Sequence, residues 1–568
     1  MLRFDRWRPD RGVISDIRPP ALRLTKQLTL GRGLMGQRPM SREPTRAFSA
    51  RFSMVRSRLA AVAGFSVMFL GGCMVGPDFV KPDAPEYVQW MAEREAYNPV
   101  EAPEDALWWK NFEDPALDAL IDEAIANNPE LEIAALRVLE ARARLGVAIG
   151  RLYPQTQALN AGYLNTTLQA PNATPPLDID QTNYELGFNL SWEADFFGKF
   201  RRGIESGRAD LNATFASYDN VLVILSAQVA SAYVLLRATQ ERLEFARSNV
   251  SIQERSLEIA TVRFESELTS ELDVQQARRL LKHTEAFVPI LERLEFEVRN
   301  TLNELVGRPP STLADLLADE PEEFPEAPEQ FAVGIPADLL RRRPDIRLAE
   351  YEAAQQSARI GVAKSRLYPA FTLGGAFSWG APNVGDIFST GGAVIGNGGI
   401  GFNWDFLNYG RIRNGVRVED ARFQQALANY EAAVLRAYKE VENSIFAIDA
   451  TQREVAARVE GVVAAQRAVE LSNIQYRDGI VDFTRVIQTL EALVSEQDSL
   501  AGARGNVLLA VVSLYRALGG GWEVQDGKQI ISDEVQHEMS ERTNWGRLLD
   551  DDKITAPVEA KEKATPDW

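Results

Sequence analysis

Few side chains in this 568-residue chain are of the types that perform covalent chemistry. It holds one cysteine, Cys73, and two distant histidines, His283 and His537, so an internal disulfide is impossible and a histidine metal site is not expected. There is no Gly-x-x-x-x-Gly-Lys loop to cradle a phosphate and no nucleophile elbow. The expectation is therefore no enzyme, no cofactor and no metal. Two placements remain. Cys73 directly follows a basic stretch, Met54-Val-Arg-Ser-Arg58, and an apolar run over residues 59–70. That is the plan of a secretory signal peptide, too short to span a membrane as an ordinary helix. Arg477, Asp478 and Asp482 gather around Gly479, which can take the positive φ of a tight turn. Repeated around an axis, they would bring like charges close enough to select and repel; solvated turn residues are the bland alternative.

Leu70-Gly71-Gly72-Cys73 resembles the lipobox of bacterial lipoproteins. The resemblance implies cleavage before Cys73, lipid (palmitate among it) on that residue, and, with Met74 next instead of aspartate, sorting to the outer membrane. A buried free cysteine is the competing reading. Residues 54–72 are then the signal peptide, and residues 1–53 a basic leader or an over-long start. The first 58 residues are rich in arginine, so the rest of the chain is more acidic than the net −18 suggests. Such acidity argues against nucleic acid as a partner.

The elements that position these residues occur twice. Asn128-Pro-Glu-Leu through Tyr153-Pro154 aligns on Arg343-Pro-Asp-Ile through Tyr368-Pro369, and both copies end in Gly-Val-Ala-x-x-Arg-Leu-Tyr-Pro. With the offset shortened by three, Trp192, Gly198, Phe264, Val274, Leu302 and Gly307 fall on Trp404, Gly410, Tyr476, Val486, Leu514 and Gly519. Each half reads as helix, strand hairpin, very long helix, returning helix. Pro154 and Pro369 end the first helix of each half, because proline disfavours the helical conformation of the residue before it.

The strands alternate strictly. In Tyr184-Glu-Leu-Gly-Phe-Asn-Leu-Ser-Trp192 even positions are apolar or aromatic and odd ones polar or small; residues 371–379 and 400–406 do the same, and 155–165 more weakly. At roughly 9 residues each, they match a tilted membrane strand. Trp192, Trp379 and Trp404, with Phe406 and Tyr163, stand as an interfacial girdle, while Glu185, Asn189, Asn403 and Asp405 face the other way, toward a bore. A soluble sandwich burying the greasy face is the alternative. Four strands cannot close a barrel, and an open edge in lipid leaves backbone groups unsatisfied, so several chains must share one. Three chains would give twelve strands and a water-filled interior.

From residue 211 to 264 an apolar seam advances by alternate steps of four and three, broken only by Thr239 and Gln253, and Phe423 to Ile448 repeats it. This is a coiled-coil pattern, and roughly 65 residues of it would reach about 100 Å. The returning helices, about residues 270–305 and 482–518, are half that length. Stacked on the helix before each hairpin, they would complete a second column. A scaffold built of such rods remains the bland reading.

The run Pro336-Ala-Asp-Leu-Leu-Arg-Arg-Arg-Pro-Asp-Ile346 is similar to the hallmark of the TolC-like outer membrane factor family, in its NodT-type lipoprotein branch. So are Cys73-Met-Val-Gly-Pro-Asp-Phe79, Trp108-Trp109, Ser270-Glu-Leu-Asp-Val274 and Leu514-Tyr-Arg-Ala-Leu-Gly-Gly-Gly-Trp522. The resemblance implies an α+β membrane protein: a homotrimeric channel-tunnel with a twelve-stranded outer-membrane β-barrel on a periplasmic α-helical barrel. It implies the passive exit duct of a tripartite efflux pump, partnered by a periplasmic adaptor, an inner-membrane RND-type pump and outer-membrane lipid. A duct for type I secretion and a non-transporting scaffold are the alternatives. The segments read as a lipidated N-terminal stretch (73–115), two repeats (116–307 and 336–522), an equatorial linker (308–335) and an acidic mobile tail (523–568). The family places its gate and adaptor contacts at two helix turns, here Arg263, Phe264, Glu267 and Ser270 and then Tyr476, Arg477, Asp478, Gly479, Asp482 and Phe483. Glu267 stands where glycine is usual, and Gln488 where aspartate is.

Overall fold

The structure, a computed structural model, describes residues 74–83, 107–170, 177–317, 342–389 and 392–550, with a few isolated residues between them and Thr555. Cys73, the signal segment and residues 1–53 lie outside the described residues, as does more than half of the 308–335 link.

A proline at the first position starts the matching helix of each half, although only the first half adds a side-chain cap. Pro115 and Pro129 occupy the first positions of α1 (Pro115–Asn127) and α2 (Pro129–Gly150), behind Asp114 and Asn128, whose side chains each accept from two backbone N–H groups. Pro344 opens α6 (Pro344–Ser365), which at 22 residues equals α2 in length. After each comes a hairpin: β1 (Thr156–Ala170) with β2 (Leu177–Ala194), then β3 (Ala370–Ala381) with β4 (Ala393–Asn403). The hairpins join through β2 and β3 into one antiparallel sheet of order β1-β2-β3-β4. Among the described residues neither outer edge, β1 or β4, has a partner strand.

Two strand lengths correct the sequence reading. β1 and β2 run 15 and 18 residues, well beyond the alternating band. Past the Tyr163–Tyr184 pair that face turns polar (Asn165 opposite Thr182, Thr167 opposite Asp180, Gln169 opposite Asp178) while the other face carries Leu168 opposite Ile179, so the backbone ladder continues after the apolar band has stopped. β4 ends at Asn403, which puts Trp404, Asp405 and Phe406 just beyond it.

The long helices α3 (Lys199–Glu265) and α7 (Arg411–Arg477) are 67 residues each, about 100 Å. Each starts from a left-handed glycine, Gly198 or Gly410. The seam of α3 is buried at Leu211, Phe215, Tyr218, Leu222, Leu225, Val229, Leu236, Leu243 and Ala260, and also at its two polar members, Thr239 and Gln253. One window of α3 is apolar enough to cross a membrane, but 67% of it is buried, so it serves the core. That core gathers Trp108, Trp109, Leu120, Ile121, Tyr233, Val434 and Leu514 where most helices meet.

The return in the first half is interrupted, contrary to the single helix expected: α4 (Glu271–Glu285) stops at Ala286 and α5 (Phe287–Leu305) begins, with Pro289 in its first turn. Proline lacks the N–H that would bond back across the break. The second return, α8 (Phe483–Leu518), carries Ala501 at that place and is continuous over 36 residues. End-to-end stacking holds in both halves. Asn128 Nδ2 donates to the Leu305 carbonyl (2.8 Å) at the end of α5, and Arg343 Nη1 to the Ala517 carbonyl (2.7 Å) at the end of α8.

The tail departs from expectation as far as it is described. Beyond Trp522 the chain forms α9 (Asp533–Arg542), capped by Ser532, and buries Ile531 and Met539 against the main core, with Trp545 and Leu548 packed nearby. Its acidic composition hid a small number of well-placed apolar side chains.

Candidate functional site

Register fixes which side chains share each face of the sheet. Phe188 lies opposite Leu159 and Phe377, Trp192 opposite Leu373, and Phe371 opposite Phe402, so one face is a continuous apolar field. In the lone chain that field is bare: Ile400 and Phe402 are 82% and 71% exposed. Aromatic residues bound it at both ends. At one end the indole N–H of Trp192 donates to the Leu152 carbonyl and that of Trp404 to the Leu367 carbonyl, both at 3.0 Å. At the other, Tyr163 packs on Tyr184, and Trp379 on Phe377 and Phe388. Tyr184 to Trp192 spans about 27 Å along the strand, a membrane-sized band once tilted.

The opposite face carries Glu185, Asn189, Ser191, Thr372, Ser378, Asn397 and Asn403, interleaved with glycines. Asn160 donates to Asn189 across it (2.7 Å). Asp405 lies past the strand end and joins this face through a hollow of about 150 Å³ that it lines with Glu193, Lys199 and Asn403. Its ion pair with Arg411 (3.3 Å) repeats the Glu193–Lys199 pair (2.8 Å) of the first half.

At the far end of the rods the two turns share one backbone design. Leu268 N–H bonds the Arg263 carbonyl (2.9 Å) and Ile480 N–H the Gln475 carbonyl (2.8 Å), each closing over a left-handed residue. That residue is Glu267 (φ 57°) in the first turn and Gly479 (φ 76°) in the second. Asp482 is the N-cap of α8, its carboxylate accepting from the Arg485 N–H (3.2 Å); Ser270 gives α4 no such side-chain cap.

Between the turns lies a contact that sequence reasoning missed. Tyr476, 3% exposed, packs on Phe483 (5.0 Å) and under the Arg263 guanidinium (4.8 Å). Its hydroxyl donates to Asp273 Oδ2 (3.0 Å), which also accepts from Thr269, and burial raises the tyrosine's pKa. Arg263 further donates to the Arg477 carbonyl (2.6 Å). The two hairpin ends are thus tied together within one chain. Asp273 sat in a motif already singled out, but only the fold brings it to Tyr476. Arg477 and Asp478 stay exposed, 3.8 Å apart. Phe264, Leu268, Leu272 and Ile480 are also exposed.

Residues 120–308 and 335–520 match the outer membrane efflux protein family. The chain belongs to that family. It is 31% identical over 426 residues to the pyoverdine export outer membrane protein OpmQ of Pseudomonas aeruginosa, covering 73% of this chain and 87% of that one. It is 30% identical over 483 residues to the probable efflux pump outer membrane protein TtgC of Pseudomonas putida, covering 84% and 98%. The solved outer-membrane channel OprN aligns with TM-score 0.74 and 32% identity, over 79% of this chain and all of that one. The fold is the trimeric channel-tunnel, four strands of each chain entering a twelve-stranded barrel above a helical barrel, and the chain acts as the outer-membrane exit duct of an efflux pump.

In this outer membrane efflux protein the Arg-Pro-Asp hallmark has a structural meaning. Arg343 is buried and pairs with Asp345 (2.8 Å) and Glu440 (2.9 Å) while it covers the end of α8. A side chain at Gly519 would strike it, since a Cβ there would lie 2.9 Å from Arg343 Cγ. The Gly-Val-Ala motif explains itself in its second copy only. Gly361 leaves room for Val75 and Gly76 to cross, where a Cβ on Gly76 would come within 2.5 Å of Gly361 Cα. Arg202, 2% exposed, clamps that N-terminal stretch through Asp78 (2.7 Å) and the Val75 carbonyl (3.3 Å).

Proposed function

We propose that this family member is a homotrimeric duct anchored by lipid on Cys73, engaged at its tip by a periplasmic adaptor and served by an inner-membrane RND-type pump, and that it performs no chemistry itself. The observation that carries the reading is the four-stranded sheet whose apolar face and two edges are left uncovered by the described residues of one chain, although three chains in a ring would pair every edge. Glu185, Asn189, Asn403 and Asp405 then wet the bore, and Trp192, Trp379 and Trp404 sit at the membrane interfaces. Met74 lies against Gly198 at the barrel–helix junction, so a lipid on the residue before it would emerge at the periplasmic surface of the membrane. Relatives are named for pyoverdine export and for antibiotic and toluene efflux, which supports small molecules as cargo.

The tip is the gate. Tyr476–Asp273 and Arg263–Arg477 hold the hairpin ends together, Asp478 and Asp482 present charge to the axis, and Phe264, Leu268 and Ile480 offer apolar contacts to the adaptor. Single-channel conductance in a planar bilayer tests this. Tyr476→Phe, which removes one hydroxyl, is expected to raise the closed-state conductance severalfold, and an unchanged value would reject the latch. Asp482→Ser keeps a capping oxygen and removes the charge, so a rise there assigns the residue to the gate, whereas wild-type conductance leaves it only a helix cap. Intact mass of membrane-extracted protein, against Cys73→Ser, decides the anchor.

A further inference from the structure

The apolar packing of the rods is not continuous from equator to tip. One cluster around Ala260, Val274, Leu280, Tyr476, Phe483 and Leu490 fills the tip end, and a separate small one of Leu243, Ala246 and Leu291 lies above it. Between them runs a layer of buried polar residues: Asn249 and Gln253 on α3, Thr284 on α4 and Gln497 on α8, each 6% exposed or less. Asn249 Nδ2 donates to Gln497 Oε1 (2.7 Å), which spans the two hairpins of the chain. Asn249 Oδ1 and both amide atoms of Gln253 have no hydrogen-bond partner among the described residues and are closed to solvent. Buried amides without a protein partner are rare in native cores, because each gives up hydration for no hydrogen bond in return.

Three further observations fall at the same level. The return helix breaks at Ala286, two residues beyond Thr284, with Pro289 in the next turn. A cavity of about 420 Å³ opens there, lined by Asn249, Thr284, Phe245 and Phe287. Finally, the matching positions of the second hairpin, Gly461, Ala465 and Ala501, carry neither the amides nor the proline.

We infer that this layer is a flex point, at which the tip half of the first hairpin bends and α8 slides past α3 when the duct opens. An under-packed layer with unpaired amides gives up little on moving, and rearrangement lets Gln253 find a partner, whereas the apolar clusters on either side resist it. The opening role rests on the tip being the gate; the bending itself does not.

Hydrogen exchange on the full mature protein in detergent tests it. Amides at residues 246–257 and 283–290 are expected to exchange about tenfold faster than those at 458–469 of α7, the matching stretch of the other rod. Equal rates would overturn the flex point. Pro289→Ala, an exposed change that restores one helix hydrogen bond, is expected to slow exchange at 284–290, and no slowing would overturn the role of the break. Replacing Asn249, Gln253 and Gln497 by leucine together is expected to bring the layer to the α7 rate and to suppress the conductance gain of Tyr476→Phe. If the leucine variant does not assemble, the wild-type and Pro289→Ala rates decide alone. Fast exchange with the conductance gain intact would keep the bend and remove it from gating.

Discussion

Two places in the molecule do the same job with different side chains. Where α5 meets α2, the neutral amide of Asn128 covers the Leu305 carbonyl; where α8 meets α6, the guanidinium of Arg343 covers the Ala517 carbonyl. The stacked columns demand only a donor at the end of a helix whose last carbonyls lack partners. The rest follows from the donor chosen. Asn128 doubles as the N-cap of α2, whereas Arg343 brings a buried charge that needs Asp345 and Glu440 beside it. A repeat thus keeps its hydrogen-bond geometry while the electrostatics around it diverge.

The widest separation between the halves is expected from removing these donors. Arg343→Ala strands two carboxylates and a carbonyl and should cost about 3–5 kcal/mol, against about 1 kcal/mol for Asn128→Ala. Thermal unfolding of the assembled protein measures both, and equal losses would break the comparison. Next is a difference in pH response. Asp219 of α3 is buried and its pKa is raised to about 7 by that burial, with Arg347 (3.2 Å) partly opposing, while Glu431, at the same place in α7, is exposed. A carboxyl raised on folding favours the folded state below its unfolded value near 4, and that contribution is lost as pH rises through 7. The melting temperature should therefore fall between pH 5 and 8 by more in the wild type than in Asp219→Asn, with Glu431→Gln unchanged from wild type. The smallest effects belong to the tip turns. Gly479→Ala forces a side chain into the left-handed region and should cost about 1 kcal/mol, whereas Glu267→Gly removes such a conflict and should gain about 0.5 kcal/mol or less. A loss on Glu267→Gly would mean that its carboxylate has a role the backbone does not explain.

Much of this was legible in the residues. The seam from Leu211 to Ala260 is the buried line of α3, and the offset between halves reproduces two rods of identical length. Alternation marked the apolar band of the sheet correctly but not the strand ends, since β1 and β2 go on pairing after that face has turned polar at Thr167–Asp180 and Gln169–Asp178. Pro289 sat unnoticed in a well-patterned stretch, and the tail's charge masked Ile531 and Met539. Asp273 lay beyond reach for another reason: its partner Tyr476 is 203 residues away, and periodicity carries no information about which hairpins meet.

Gly198 and Gly410 start α3 and α7 at one height, and both helices end after 67 residues. The wall is therefore a ruler with two matched edges, setting how far below the outer membrane the tip hangs. Seven residues deleted from one rod would leave a step of about 10 Å in the rim, whereas the same deletion in both would only shorten the reach. Any adjustment of this protein to a narrower or wider cell envelope has to be made twice.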